Sequence, residues 1–455
     1  MMDKLTSEQQ LLLRALRRHL GTEASQALSF APTADMLAAV CAMAGEQKIL
    51  PMVYEGLLAD DACAACLASE DGAPLRERLR QEVRRGVMLQ TAKTYDFLQL
   101  YAYMEQCGIR PLVVKGIVCR ALYPQPDHRP SSDEDLLVKP EQFWDAARQL
   151  MSLGAQTLKG EVIPAPEEAA PVPHEIGFVL GHGAGDGTFC VTGPGLYLEL
   201  HTTLFDDDDG IGRAADALFA NVHEAAVSCE SGVRTLCPEQ HLAYLILHAC
   251  KHFVHAGFGI RQVMDIALFT AHYTDAEYID PDALYRMLAS LHLQRFAAGI
   301  FDIAQRALGI SLPLTALWRT ETAGADGTPM LIDILSGGIW GGTDGSRIHS
   351  AHLTLQAVRA DGGERRGLLS AVFPPRRMLI GQYPYLARHP YLLPAAWGMR
   401  LWRYFLEMCG DRKHNNAAES LRIGRGRVQL LRYYRITGAD TAPENRRDCT
   451  DVTKQ

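Results

Sequence analysis

The feature that most constrains the fold is a change in the spacing of apolar residues near residue 106. Residues 7–105 carry apolar side chains three and four positions apart, as amphipathic helices do. Beyond this point the chain has short β-branched runs closed by glycine or proline. The predicted strands lie at Arg110–Lys115, Asp133–Val138 and around 156–162, 175–180 and 195–202. This pattern predicts an α+β protein with a mixed β-sheet core, flanked by N-terminal and C-terminal helical regions.

The same pattern divides the chain into four predicted regions. Helical spacing returns at Pro238. The whole chain has a net charge of −8, but from Arg359 onward it holds 18 basic and 9 acidic residues. Sixteen of those basic residues are arginines interleaved with apolar residues. That arrangement favours a solvated helical face over a surface that binds RNA or phosphate. The regions are a helical one at 1–105, an α/β core at 106–230, a helical domain beside the core at 231–320 and a basic, mostly helical one at 321–455.

Composition excludes several classes of protein. With 47% hydrophobic and 22% charged residues, the chain is neither disordered, collagen-like nor a coiled coil. The N-terminus lacks a basic segment followed by an apolar one, and the apolar stretch Tyr391–Met399 is far shorter than the roughly 20 residues of a membrane span. Eleven cysteines without a regular spacing fit reduced thiols. We therefore expect a cytoplasmic protein with no transmembrane segment.

The most informative residues are Asp133 and Asp135, two positions apart in a predicted strand. Side chains alternate between the faces of a strand, so the two carboxylates project from the same side. Like charges this close raise each other's pKa, and a bound Mg²⁺ ion reverses that penalty because it prefers oxygen ligands. For the pair taken alone, two acids that solvate the start of a strand are the favoured interpretation. The surrounding sequence shifts the balance toward a metal site.

A glycine and a third acid supply that context. The preceding strand ends in Lys115-Gly116 and opens a short helix, where a residue without a side chain and helix N–H groups let a phosphate approach. In a later strand the leucines occupy one face, while Tyr197, Glu199 and His201 occupy the other. Three carboxylates from two strands, behind such a glycine, are what two-metal phosphoryl transfer requires.

Four motifs carry a family resemblance. They are Val114-Lys115-Gly116, Leu122-Tyr123-Pro124, Arg129-Pro130-Ser131-Ser132-Asp133-Glu134-Asp135-Leu136-Leu137-Val138 and Leu198-Glu199-Leu200-His201. Together they resemble the uncharacterised bacterial nucleotidyltransferase-like family of the DNA polymerase β superfold. The resemblance implies a nucleotidyltransferase-like sheet in which Gly116 contacts the nucleotide, Asp133 and Asp135 bind metal ions and Glu199 is the third carboxylate.

Two positions depart from the motifs of that superfold. The usual Gly-Gly or Gly-Ser is Gly116-Ile117 here, which removes one small polar contact to phosphate. Position 134 is usually apolar in the superfold, but here it is Glu134, an acid on the strand face that should pack against the core. This predicts an exposed strand edge or an irregular sheet. Such losses occur in family members that have become binding modules. A catalytically inert binding or accessory protein is therefore the first alternative.

Three further residues within the motifs are predicted to contact the nucleotide. Lys115 and Arg129 flank the acids, where Arg would bind triphosphate oxygens through a bidentate fork and Lys as a point charge. Ser132, next to Asp133, is placed with them. The competing interpretation is that the two cations pair with acids or solvate a loop end.

A stripe of histidines marks the helix that begins at Pro238. At about 100° per residue, His241, His248, His252 and His255 fall within one narrow sector beside the apolar face. His248 and His252 have the spacing of two helical metal ligands, but the acid that follows the first histidine in zinc proteases is absent. They are predicted either to contact substrate or to pack, and a metal-dependent hydrolase centred on them is the second alternative.

The expected reaction is the Mg²⁺-dependent transfer of an NMP from an NTP to an acceptor, with release of pyrophosphate and with Mn²⁺ as the alternative ion. Asp133, Asp135 and Glu199 would bind the metal, and Glu199 would help to deprotonate the acceptor. The acceptor is left open between a small molecule, RNA and protein. Replacement of Asp135 by Asn is expected to abolish turnover and to leave the thermal midpoint nearly unchanged or raised.

Overall fold

The computed structural model describes residues 1–22, 28, 30–205, 215, 217–255, 257–337, 376–379, 383–399, 402 and 426–436. The chain forms two compact units, the first made of residues 1–253 and 257–342 and the second of residues 254–256 and 343–455. The first unit contains the sheet and every residue of the predicted site. Most of the predicted basic region lies outside the described residues.

Five helices precede the sheet in the described part of the first unit. Thr6, Thr33 and Asp60 each cap a helix by accepting a backbone N–H with the side chain. The Gln9 side chain in turn accepts the Thr6 N–H, which completes a capping box. The helices are α1 (Ser7–Leu20), α2 (Ala34–Glu46), α3 (Leu50–Leu58), α4 (Asp61–Ala68) and α5 (Ala73–Gln106).

A five-stranded sheet follows, with strand order β1-β2-β5-β4-β3. Strands β2 and β5 run parallel, and the other neighbours run antiparallel. In β5 the leucines are buried while Tyr197, Glu199 and His201 face the other side, and α5 and α7 both contact this strand. The elements are β1 (Leu112–Val114), α6 (Gly116–Arg120), β2 (Glu134–Leu137), α7 (Phe143–Ser152), β3 (Gln156–Thr157), β4 (Glu175–Leu180) and β5 (Leu196–His201).

A second group of helices in the first unit begins after a two-stranded sheet of β6 (Val227–Ser228) and β7 (Arg234–Thr235). Phe253, Phe258 and Phe296 pack against one another with ring centroids 5.4 to 5.9 Å apart, which joins the first and fourth of its helices. The helices are α8 (Pro238–His255), α9 (Ile260–Asp275), α10 (Pro281–Ser290), α11 (Gln294–Arg306), α12 (Ala316–Gly324) and α13 (Thr328–Gly337).

The described part of the second unit contains short helical elements. They include α14 (Arg376–Leu379) and the 3₁₀ helices Pro384–Ala387 and Pro390–Leu392. Leu379, Tyr383, Leu386 and Ala396 form its small buried core.

The predicted α+β class, with a mixed sheet core flanked by helical regions, is confirmed. Each predicted strand is present, and the one predicted at 175–180 has the same bounds as β4. Strand β3 is shorter than predicted because a turn through Gly160, with φ 74°, ends it. Across the described ranges, the structure contains no helix that combines the length and hydropathy required to cross a membrane.

Candidate active site

The pairing of β2 with β5 brings two of the three predicted acids together. Asp135 and Glu199 are register partners on these adjacent parallel strands, and Asp133 lies one residue before β2. All three carboxylates line a cavity of about 280 Å³, which we name the inner cavity. Its wall also includes Lys115, Gly116, Arg129, Ser132, His248 and His252, so every sequence-predicted site residue lies on it.

The Asp135 carboxylate is buried and held by two cationic groups. The Lys115 Nζ lies 3.0 Å from Asp135 Oδ1, and the His201 Nε2 lies 3.4 Å from the same oxygen. Burial alone would raise the pKa of Asp135, but these two neighbours outweigh it and hold the pKa well below its usual range. Asp135 is therefore an anion at neutral pH.

Asp133 is in the opposite situation. Burial and the neighbouring Asp135 charge raise the pKa of its carboxyl, with Lys115 offsetting part of the effect. Among the described residues, no hydrogen bond or ion pair reaches its carboxylate. Its main chain is fixed, since the Ser131 hydroxyl donates to the Asp133 carbonyl at 2.7 Å and the Gln90 side chain accepts the Ser131 N–H at 2.8 Å. Asp133 thus presents an unpaired carboxylate at a fixed position.

His201 belongs to this group of acids, although only its place on the strand pointed to it. Its Nε2 lies 3.4 Å from Asp135 and 3.5 Å from Glu199. Burial would lower the pKa of His201, but the two carboxylates raise it to about 9. Potential ligand atoms of Asp135, Glu199 and His201 lie within 4.8 Å of one another. The alternation of side chains along β5 could have identified His201 from the sequence, because it places His201 on the same face as Glu199.

Lys115 adopts a backbone conformation rare for a residue with a side chain, with φ 58° and ψ −127°. Its N–H donates to the Nε2 of His241 at 3.2 Å. The Thr235 hydroxyl lies 3.1 Å from the His241 Nδ1 and donates to the Val113 carbonyl at 2.6 Å. His241 therefore carries its proton on Nδ1, and burial lowers its pKa to about 3. This chain of bonds positions Lys115 at the end of β1.

The Lys115 side chain also contacts His248, one of the two predicted substrate-binding histidines. Its Nζ lies 3.1 Å from His248 Nε2, and His252 Nε2 lies 3.2 Å from that same nitrogen. Burial, reinforced by the Lys115 charge, holds the pKa of His248 well below its usual range. Burial would lower the pKa of Lys115, but Asp135 raises it above its usual range. His248 is thus a neutral acceptor beside an ammonium group. The side chain of His255 lies outside the described residues.

Glu134 is buried within a regular strand, contrary to both structural expectations for it. Its Oε1 accepts from the Arg120 Nη2 at 2.7 Å, and its Oε2 accepts the Ile117 N–H at 3.2 Å. Gly116, with φ 34°, has no room for a side chain, since a Cβ there would lie 1.8 Å from Glu134 Oε2. The helix N–H at Ile117, expected to be open to a phosphate, is therefore already bonded to a carboxylate.

Arg129 is likewise paired. Its Nε and Nη2 donate to the two carboxylate oxygens of Asp265 at 2.8 and 2.7 Å, and the Tyr123 hydroxyl donates to the same carboxylate at 2.8 Å. Burial opposes the charge on Arg129, but Asp265 raises its pKa further above the usual range. Arg261, whose Nη1 donates to the Pro130 carbonyl, is a cation on the inner cavity wall that the sequence reasoning missed.

A second cavity, of about 440 Å³, meets the inner one at the acids. We name it the outer cavity. It shares Asp133, Glu199, Ser131 and Ser132 with the inner cavity and adds Lys48, Lys93, Leu158 and Tyr197. Ser132 is exposed, and its Oγ accepts from the Lys48 Nζ at 3.4 Å.

Comparison with known proteins was made for families, curated proteins and solved structures. A family model described as uncharacterised nucleotidyltransferase matches residues 35–309, which include the sheet, the three acids and the histidines of α8. No curated protein and no solved structure matches the chain. The match supports nucleotidyl transfer as the general activity and a divalent metal as its usual requirement. Since this match covers more than half of its residues, the chain belongs to the uncharacterised nucleotidyltransferase family.

Proposed function

We propose that the protein catalyses the divalent-metal-dependent transfer of an NMP from an NTP to an acceptor, with release of pyrophosphate. The observation that carries the proposal is the register of Asp135 with Glu199 on parallel strands, with Asp133 on the wall of the same cavity. A charged pair on adjacent buried strands is costly unless a cation offsets it. Among the reactions that such a site could catalyse, nucleotidyl transfer is the one that fits the family.

The residues present fit Mg²⁺ or Mn²⁺. Asp133, Asp135 and Glu199 would hold the ions through oxygen atoms, the ligand type that both metals prefer. The unpaired Asp133 carboxylate, with its raised pKa, is the group in the described part of the site that gains most from a nearby cation. When bound, the ions would neutralise the triphosphate charge and lower the pKa of the attacking hydroxyl.

The chain's own residues have separate proposed roles around that centre. Glu199, on the border of both cavities, accepts the proton of the acceptor hydroxyl. Lys115 and Arg261 place positive charge in the inner cavity, where the triphosphate binds. Ser132, His248 and His252 contact the nucleotide from the same wall, together with the backbone at Gly116. Arg129 has an indirect proposed role, because the Asp265 carboxylate holds its guanidinium.

The proposed compartment is the cytoplasm. The nine cysteines in the described part of the chain are all free thiols. Free thiols are the usual state of cysteine in a reducing compartment.

An inert binding protein is the second candidate, and one observation favours it. Lys115 and His201 already neutralise the charge of Asp135, so this carboxylate has cationic partners within the chain itself. The metal-dependent hydrolase centred on His248 and His252 has no such support. The Lys115 ammonium lies 3.1 Å from the His248 Nε2, and a zinc ion on that nitrogen would have to displace it.

The test is a transfer assay on the purified chain. Each labelled NTP is incubated with Mg²⁺ or Mn²⁺ and with separate small-molecule, RNA and protein fractions of a cell extract. We expect pyrophosphate and one labelled product, both abolished in Asp135→Asn and retained in Asp71→Asn, an exposed acid outside both cavities. NTP binding without pyrophosphate release in any fraction would establish the inert alternative instead.

A further inference from the structure

The outer cavity adjoins the proposed reaction centre but has a lining of its own. It meets the inner cavity at Asp133 and Glu199, so a molecule in each would have its reacting atoms beside the same carboxylates. Phosphoryl transfer displaces the leaving group in line, with the attacking oxygen on the far side of the phosphorus. The triphosphate and the acceptor therefore need two spaces that meet at the metal ligands, and these two cavities do.

Two lysines give the outer cavity its charge. Lys93 projects from α5, is partly buried and has no hydrogen bond or ion pair to any residue that the structure describes. Lys48 faces the same cavity, and its Nζ donates to the neutral Ser132 hydroxyl. Burial and the charge of Lys48 lower the pKa of Lys93, whereas the charges of Glu134 and Asp133 raise it. Asp133 and Glu199 also line this cavity, but among the described residues neither forms an ion pair with the two lysines, so both ammonium groups are available to an anion from outside the chain.

The backbone at Lys48 supports a role for its side chain. Lys48 follows the C-terminus of α2 with φ 51°, and its N–H donates to the Gly45 carbonyl at 3.0 Å. Glycine or asparagine usually occupies such a left-handed position, and another residue there costs about 1 kcal/mol. A lysine at this position places an ammonium group at the cavity despite the conformational cost.

Another part of the wall carries the apolar side chain of Leu158 and the ring of Tyr197. Gly177 of β4 is the register partner of Glu199, and the Leu158 side chain lies over it, with Cδ1 2.7 Å from where a Cβ would be. The Leu158 N–H donates to the Gly177 carbonyl at 2.8 Å, which fixes this residue. Tyr197 is on the same face of β5 as Glu199, and Leu158 and Tyr197 remain 52% and 48% exposed. A ring or short carbon chain lying on this wall would end beside Glu199.

We propose that the outer cavity is the acceptor site and that the acceptor is a small molecule with a phosphate group, an apolar body and a hydroxyl. This inference rests on the proposed transfer function. A phosphate monoester carries about −1.5 to −2 charges near neutral pH, which matches two ammonium groups better than a single carboxylate would. A volume of about 440 Å³ is in the range of small-molecule sites.

The step balances without any further reactant. The acceptor oxygen forms a bond to the α-phosphorus while the bond from that phosphorus to the bridging oxygen breaks. The electron pair of the broken bond leaves with pyrophosphate. The hydroxyl proton passes to the Glu199 carboxylate, which borders both cavities.

The first experiment measures binding without turnover. The protein is saturated with Mg²⁺ and a non-hydrolysable NTP analogue, which fills the inner cavity, and inorganic phosphate is then titrated by calorimetry. In Lys48→Ala/Lys93→Ala we expect the Kd for phosphate to rise at least about tenfold and the Kd for the analogue to change less than about twofold. Lys139→Ala, at a half-exposed lysine outside both cavities, is the matched control. An equal loss of analogue binding would assign the lysines to the triphosphate and overturn the proposal.

The second experiment uses turnover. Small molecules of a cell extract are separated by anion exchange, and each fraction is supplied to the enzyme with labelled NTP. We expect transfer only with a retained, phosphatase-sensitive fraction, and in the double lysine variant a KM for that fraction raised about tenfold or more with kcat nearly unchanged. Transfer to a neutral molecule, a phosphatase-resistant carboxylate, RNA or protein would overturn the acceptor assignment. If no fraction supports transfer while phosphate still binds through the two lysines, the transfer function fails and the anion site stands.

Discussion

Asp135 and Asp133 lie two residues apart but have opposite electrostatic environments. The Asp135 carboxylate has the Lys115 ammonium at 3.0 Å and a lowered pKa, whereas Asp133 has a raised pKa and no ion pair within the described ranges. The first group is neutralised by the chain itself, and the second is available to a cation. Substitutions at the two positions should therefore affect stability differently although both remove a proposed metal ligand.

Asp135→Asn is expected to abolish turnover and also to destabilise the protein. A buried ion pair that loses one partner leaves an uncompensated charge, here on Lys115, at a cost of roughly 3 kcal/mol. This reverses the expectation from sequence that the thermal midpoint would be unchanged or raised. Urea unfolding gives the free energy of unfolding, and the transfer assay gives the turnover. A variant as stable as the wild type would show that the ion pair contributes nothing.

Asp133→Asn is expected to reduce turnover by at least about 100-fold while leaving the free energy of unfolding unchanged or slightly raised. The substitution removes a carboxylate that is repelled by Asp135 and has no ion pair in the described part of the chain. Thermal midpoints with and without Mg²⁺ provide the check, because the wild type alone should gain stability from the ion. Destabilisation equal to that of Asp135→Asn would contradict the assignment.

His241 should make stability depend on pH in the acid range. Its folded pKa of about 3 lies below its ordinary value of 6.5, so the unfolded state binds the proton more readily. This contribution is fully present above about pH 6.5 and declines as pH falls toward 3, by at most about 1.4 kcal/mol per pH unit. We expect a shallower dependence in His241→Gln, measured by urea unfolding from neutral pH down to about pH 4. Parallel curves for the two proteins would rule out a neutral buried His241.

Gly116→Ala is expected to destabilise the fold by roughly 2 kcal/mol or more, because the added Cβ would meet the Glu134 carboxylate and the backbone φ is 34°. Gly86→Ala is the matched control. Gly86 lies within α5 with no atom within 4 Å of an added Cβ, so alanine there should stabilise by about 0.5 to 1 kcal/mol. The comparison is made by chemical denaturation. Equal effects of the two substitutions would contradict the close approach of Glu134 to Gly116.

The sequence predicted the parts of the site that depend on local geometry. Alternation along a strand places Glu199 and His201 on one face, and the predicted strand at Asp133–Val138 contains β2 with Asp135, while Asp133 lies one residue before it. The strand positions followed from β-branched runs between turn residues, and the sheet class followed from them. The division into four regions stays a prediction.

The electrostatic partners were decided by tertiary packing. Arg129 was expected at the triphosphate, but its partner Asp265 is 136 residues away along the chain. Glu134 seemed to break the strand pattern until Arg120 and the Ile117 N–H were found to satisfy it. Spacing rules describe neighbours within one helix or strand, and they carry no information about which element packs against another.

The sequence by itself determined the α+β class, and through its motifs it indicated the nucleotidyltransferase family and three candidate acids. Only the tertiary structure decided that Asp135 is paired with Lys115, that Asp133 is open and that a lysine-lined cavity adjoins Asp133 and Glu199. The physical reason is that local periodicity sets the direction of a side chain. Its charge state and its partners depend on burial and on groups that the fold brings from distant parts of the chain.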